Sequence, residues 1–93
     1  LMFMNSDAVV LLPGGAGSMD EFFEILTWAQ LKLHNRPIVV ANIKKYWQPM
    51  LNLIDHTIAS GFADTNMRNY FNVAEDIDEI EALLRSALNT AQV

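Results

Sequence analysis

No cysteine occurs in the 93 residues, which excludes a disulfide framework and a thiolate metal site and fits a reducing cytoplasm. Basic residues are scarce: six Lys and Arg stand against eleven Asp and Glu, for a formal net charge of −5. Such a surface repels phosphate polymers and anionic lipid, which argues against a nucleic-acid or membrane role. Long apolar runs are missing as well. None approaches the roughly 18 residues needed to span a bilayer, and no signal-peptide pattern is visible. The absences together predict a soluble, cytoplasmic chain whose phosphate ligands, if any, are small and held by local backbone. His34 and His56 have no partner at ligand spacing, so no metal site is expected.

What is present is 52% hydrophobic residues, enough for one small domain, although a full core usually takes about 100 to 150 residues. The chain starts at Leu1, and "LMFMNSDAVVLL" is already deep in apolar sequence. Residues 1–93 therefore read as a single domain, truncated at its N-terminus and forming the C-terminal half of a larger one.

Residues 7–12, "DAVVLL", suit a strand buried on both faces, closed by Pro13. From Met19 to Leu33, helical spacing places Met19, Phe22, Ile25, Leu26, Ala29 and Leu33 on one stripe, and Asn35-Arg36-Pro37 ends the helix. "PIVVANI", residues 37–43, is a second buried strand. Trp47, Met50, Leu51, Ile54 and Ile58 mark a second helix that stops at Gly61, a C′ glycine. A short strand near 70–73 and a third helix from about Asp76, with acidic residues in its first turn, complete the order β-α-β-α-β-α. Alternation of this kind predicts an α/β fold, a Rossmann-like parallel sheet with flanking helices on both faces. Three strands are few, so an edge of the sheet is expected to need cover from further strands or a partner.

Gly14, Gly15 and Gly17 lie where the first strand turns into the first helix, the end at which open α/β sheets bind ligands. Without Cβ atoms the backbone approaches a phosphate closely, the helix N-terminus adds partial positive charge, and Ser18 adds a hydroxyl. The alternative is that the glycines serve only a tight turn. Neither a P-loop nor the dinucleotide fingerprint fits, because lysine is missing before Ser18 and the glycine spacing differs. Ser18-Met19-Asp20-Glu21 also matches a capping box, with Ser18 as N-cap and Glu21 reaching back. Angles around the helix put Glu21, Trp28 and Lys32 in one stripe outside the core arc, with Glu24 beside them. Carboxylates repel phosphate, so they should face an uncharged part of the ligand, such as a ribose whose C1′ gains positive charge as a glycosidic bond breaks. Glu24 is read equally well as a solvated helix residue, and Trp28 as packing.

"PGGAGSMDE" resembles the P-G-G-x-G-T-x-x-E signature of the LOG ("lonely guy") proteins, the cytokinin riboside 5′-monophosphate phosphoribohydrolases and their bacterial relatives. The likeness runs on through "FFEILTWAQLKLHNRPIVVANI" and "YWQPMLNLIDHTIASGF". It implies a homodimer or higher homo-oligomer that hydrolyses the N-glycosidic bond of a nucleoside 5′-monophosphate, a cytokinin ribotide or AMP, to free base and ribose 5-phosphate, without a cofactor. On this resemblance Gly14, Gly15, Gly17 and Ser18 bind the 5′-phosphate, Glu21 is the catalytic carboxylate, and Glu24 engages ribose or positions water. Ser18 replaces the usual threonine and keeps the hydroxyl. The family's arginine, in an M-x-x-R-K segment upstream of the glycine loop, would lie before Leu1. Lys45 stands where relatives often have glycine. Members have also been labelled lysine decarboxylases, but none of Lys32, Lys44 and Lys45 has a pyridoxal-phosphate context. The alternative function is a non-catalytic carrier of nucleotide or molybdenum cofactor, for which two anions beside an anionic cargo have no use.

Overall fold

The structure, a computed structural model, describes residues 2–4 and 8–91. Four strands, β1 (Met2–Met4), β2 (Val9–Leu11), β3 (Ile38–Ala41) and β4 (Asn72–Ala74), form one sheet in chain order. β2, β3 and β4 are parallel, with Val10 opposite Val39 and Val40 opposite Val73. The parallel three-stranded core is the expected one. β1 was not expected: it pairs antiparallel with β2, Phe3 opposite Val10, and covers the edge that the sequence reading left open. The apolar run at residues 7–12 is not a strand throughout: β2 is confined to Val9–Leu11, and Asp7 lies outside the described residues.

Side chains alternate across the sheet. Val9, Leu11, Ile38 and Val40 share one face, where Phe22, Ile25 and Leu26 of α1 (Ala16–Gln30) and Met50, Leu51 and Ile54 of α2 (Gln48–Ala59) close over them. Both crossover helices lie on this side, as right-handed connections between strands added in one direction require. Val10, Val39 and Ala41 point the other way and are buried too. α3 (Ile77–Ala91) packs along β3 and β4, so both faces are covered. At the centre Phe22 meets Phe71 edge-on, ring centroids 5.5 Å apart.

The helix ends follow from backbone hydrogen bonding. At the end of α2 the Gly61 N–H donates to Ile58 O at 3.1 Å and the Phe62 N–H to Thr57 O at 3.0 Å, with Gly61 at φ 84°. That is a Schellman motif with glycine at C′, as the sequence predicts. α1 ends in the same way but earlier than expected, at Gln30: Lys32 N–H donates to Ala29 O at 3.0 Å and Leu33 N–H to Trp28 O at 2.9 Å. Here the left-handed C′ residue is Lys32, at φ 60°. Leu33, assigned to the core stripe from its spacing, lies beyond this cap and is exposed, as is Met19 at the other end.

α3 begins after Asp76, as expected, and carries Asp78 and Glu79 in its first turn. Asp76 Oδ1 accepts the Glu79 N–H at 2.8 Å while Glu79 Oε2 accepts the Glu75 N–H at 3.1 Å. This reciprocal pair closes the orphan donors of the turn much as a capping box does.

Candidate active site

The glycine loop leaves the C-terminal end of β2 and becomes α1 sooner than the sequence suggested, at Ala16 instead of Met19. Gly15 is the N-cap, so Ser18 is the third helical residue and Glu21 the sixth. The capping-box reading of Ser18 and Glu21 is therefore overturned. A third helical residue has helical backbone angles and cannot be the half-in residue whose side chain caps the turn. Ser18 is buried and Glu21 is exposed, which frees the carboxylate from the capping role.

The positive-φ glycine among the described residues is Gly61, and the backbone of Gly14, Gly15 and Gly17 stays outside the left-handed region. A Cβ built at Gly15 or Gly17 meets no atom within 4 Å. Neither conformation nor internal packing thus demands glycine at these two positions, and what glycine leaves is open space against the backbone. The first closed helical bond runs from Met19 N–H to Gly15 O at 3.2 Å. The amides of Ala16 and Gly17 precede it and point out along the helix axis, where the dipole favours an anion.

Glu21 and Glu24 are both exposed on α1 and three residues apart, hence adjacent on its surface. At 1.5 Å per residue, Glu21 stands about 7.5 Å along the axis from Ala16 and Glu24 about 12 Å. The arrangement puts the anion-attracting amides and two carboxylates in sequence along one helix, with Glu21 the nearer. Trp28 does not join them. It shares their direction around the axis but lies about 18 Å from Ala16 along it, where it lines a concavity of about 200 Å³ with Val9, Ile25, Leu33, His34 and Arg36. A larger concavity of about 540 Å³, lined by Ala29, Lys32, His34, Asn35 and Tyr70, is at that same far end. Neither touches the glycine loop. His34 sits between them as a loop brace: its Nδ1 accepts the Arg36 N–H at 3.1 Å, so Nε2 carries the proton and donates to Ile25 O at 3.0 Å.

Two residues beside the loop went unread in the sequence. Asn42, fully buried, ends β3 next to the glycine loop: its N–H donates to Ala74 O at 2.7 Å, its Oδ1 accepts the Trp47 N–H at 2.8 Å and its Nδ2 donates to Gln48 Oε1 at 3.2 Å. The turn it holds carries Lys44 and Lys45 at φ 53° and 59°. Lys45 thus occupies a backbone position that favours glycine. Tyr46 follows, stacked edge-on against buried Trp47 with centroids 4.9 Å apart, and its hydroxyl donates to Gly14 O. An asparagine closing a buried strand just ahead of an aromatic pair was the available signal.

Comparison with known proteins gives a family. The family described as "possible lysine decarboxylase" matches residues 1–84. A cytokinin riboside 5′-monophosphate phosphoribohydrolase of Rhodococcoides fascians is 43% identical over 86 residues, 92% of this chain and 43% of that protein. The "probable cytokinin riboside 5′-monophosphate phosphoribohydrolase" of Oryza sativa subsp. japonica is 38% identical over 92% of this chain and 37% of its own length. An Arabidopsis thaliana protein with the same activity in its name is 38% identical over 85% of this chain. The chain spans less than half the length of these relatives. With the glycine loop opening α1 and the glutamate of the signature exposed just beyond it, this chain belongs to the LOG family, which carries the description "possible lysine decarboxylase".

Proposed function

We propose that the complete protein hydrolyses the N-glycosidic bond of a nucleoside 5′-monophosphate, an adenine or N6-modified adenine ribotide, to free base and ribose 5-phosphate. The observation that carries this reading is the open space over Gly15 and Gly17, two glycines required by neither backbone conformation nor packing. The names of the relatives supply the reaction and the substrate class.

In this mechanism the 5′-phosphate rests on the backbone of Gly14, Gly15 and Gly17 and on the Ser18 hydroxyl, stabilised by the helix N-terminus. Anchoring the phosphate holds the ribose beside the first turns of α1, so that attack of water on C1′ becomes a reaction of preassembled partners. Glu21, the nearer carboxylate, stabilises the positive charge that develops at C1′ and O4′ as the bond to the base lengthens. Glu24, one turn on, engages the ribose hydroxyls or orients the water. The proposal includes a homodimer or higher homo-oligomer and no cofactor. Among the described residues no helix is long and apolar enough to cross a membrane, and a cytoplasmic location is part of the same proposal.

The test is release of ribose 5-phosphate from AMP and from isopentenyladenosine monophosphate by the complete gene product, with Glu21→Gln as control. Glu21→Gln keeps the shape and removes the charge, and is expected to lower kcat about 10²- to 10³-fold. Turnover unchanged by that substitution would remove Glu21 from the mechanism, and nucleotide binding without any release would identify a carrier instead.

A further inference from the structure

Of the groups around the glycine loop, Tyr46 has no role in the function proposed so far. Thirty-two residues from Gly14 in sequence, it donates its hydroxyl to that residue's carbonyl. The hydroxyl comes from a rigid platform. Tyr46 packs edge-on against Trp47, which is buried, and the Trp47 amide is fastened by the Asn42 side chain. Asn42 in turn hangs from Ala74 of β4, so the position of the Tyr46 ring is set by the sheet.

The Gly14 carbonyl belongs to the same planar unit as the Gly15 N–H, and no cis peptide bond occurs among the described residues. In a trans peptide the C=O and N–H point in opposite directions. Fixing the Gly14 oxygen toward Tyr46 therefore fixes the Gly15 N–H away from it. Between two glycines this peptide would otherwise rotate freely, because neither residue has a Cβ to restrict it. An N–H free to turn loses much of its value to an anion, and a carbonyl turned toward the anion repels it.

We infer that Tyr46 is a positioning residue of the phosphate loop: its hydrogen bond to Gly14 O aims the Gly15 N–H at the 5′-phosphate, an inference that rests on the phosphate-binding reading of the loop. The effect falls on phosphate affinity and not on the glycosidic step, because Tyr46 acts at the loop and Glu21 at the ribose. It also falls little on stability, since the Tyr46 side chain is half exposed and Tyr46→Phe keeps the ring.

The experiment compares the complete protein with its Tyr46→Phe variant. Inorganic phosphate is titrated while the Gly15 amide resonance is followed, KM and kcat are measured on AMP, and the thermal midpoint is recorded. Loss of one oriented hydrogen bond is expected to weaken phosphate binding and raise KM by about tenfold, with kcat within about twofold and the midpoint unchanged. Equal phosphate affinity and KM in the two proteins overturn the inference and leave the hydrolase reading standing. Phosphate binding that weakens in Tyr46→Phe, in a protein that releases no ribose 5-phosphate, upholds the inference and overturns the hydrolase. A wild-type Gly15 amide that never responds to phosphate overturns both.

Discussion

The side-chain oxygen of Asn42 and the backbone N–H of Trp47 meet at 2.8 Å inside the protein, at the point where β3 hands the chain to α2. Asn42 is fully buried and its partners include Ala74 and Gln48. Asn42→Leu would leave the Trp47 amide and the Gln48 side chain without this acceptor and donor. A loss of about 2–3 kcal/mol of unfolding free energy is expected, measured by urea denaturation with unchanged slope.

Gly17→Ala separates the ligand-binding account of the loop from a structural one. Residue 17 is helical and open to solvent, so alanine fits and improves helix propensity, raising stability by up to about 1 kcal/mol. The same methyl occupies the space claimed for the phosphate. A protein that melts higher and binds phosphate more weakly is the expected pair of results, and unchanged phosphate affinity would remove Gly17 from the site.

Helix ends supply two substitutions of opposite sign. Gly61 has φ 84° with open space around it, so Gly61→Ala meets no clash and costs only the left-handed backbone, about 1 kcal/mol. Lys32 occupies the equivalent place after α1 at φ 60°, and Lys32→Gly is expected to gain about 0.5–1 kcal/mol. Thermal melts of the two variants check both signs.

Phe22 is the largest fully buried side chain among the described residues and touches Phe71 edge-on. Phe22→Ala is expected to cost about 3–5 kcal/mol, a large share of the roughly 5–15 kcal/mol by which folded proteins are stable. Phe22→Leu should recover most of it, as read by denaturant midpoint.

Much of this architecture was legible because it rests on local pattern. The three parallel strands, the glycine stop of α2 and the acidic start of α3 all follow from runs and punctuation within a few residues. β1 escaped because residues 1–12 read as one apolar segment when Asn5-Ser6-Asp7, a short polar cluster with no glycine or proline, is not taken as a turn. The start of α1 was misplaced because Ser-x-x-Glu is the usual signature of a helix entry, whereas here Gly15 caps the helix without a side chain. Trp28 was grouped with Glu21 because angles around a helix ignore the rise along it. Tyr46 was beyond reach in principle, since its partner Gly14 lies in a different crossover and is brought near only when β2 and β3 pair.

All three lysines of the chain, Lys32, Lys44 and Lys45, sit at positive φ. Each holds a backbone position that glycine would fill with less strain, and together they make up half of the basic residues in an acidic protein. Replacing all three to relax the turns would deepen the negative field met by any anionic ligand. The turns of this fold thus hold cations at some conformational cost, and rate of ligand capture and thermal stability would be tuned in opposite directions by the same three residues.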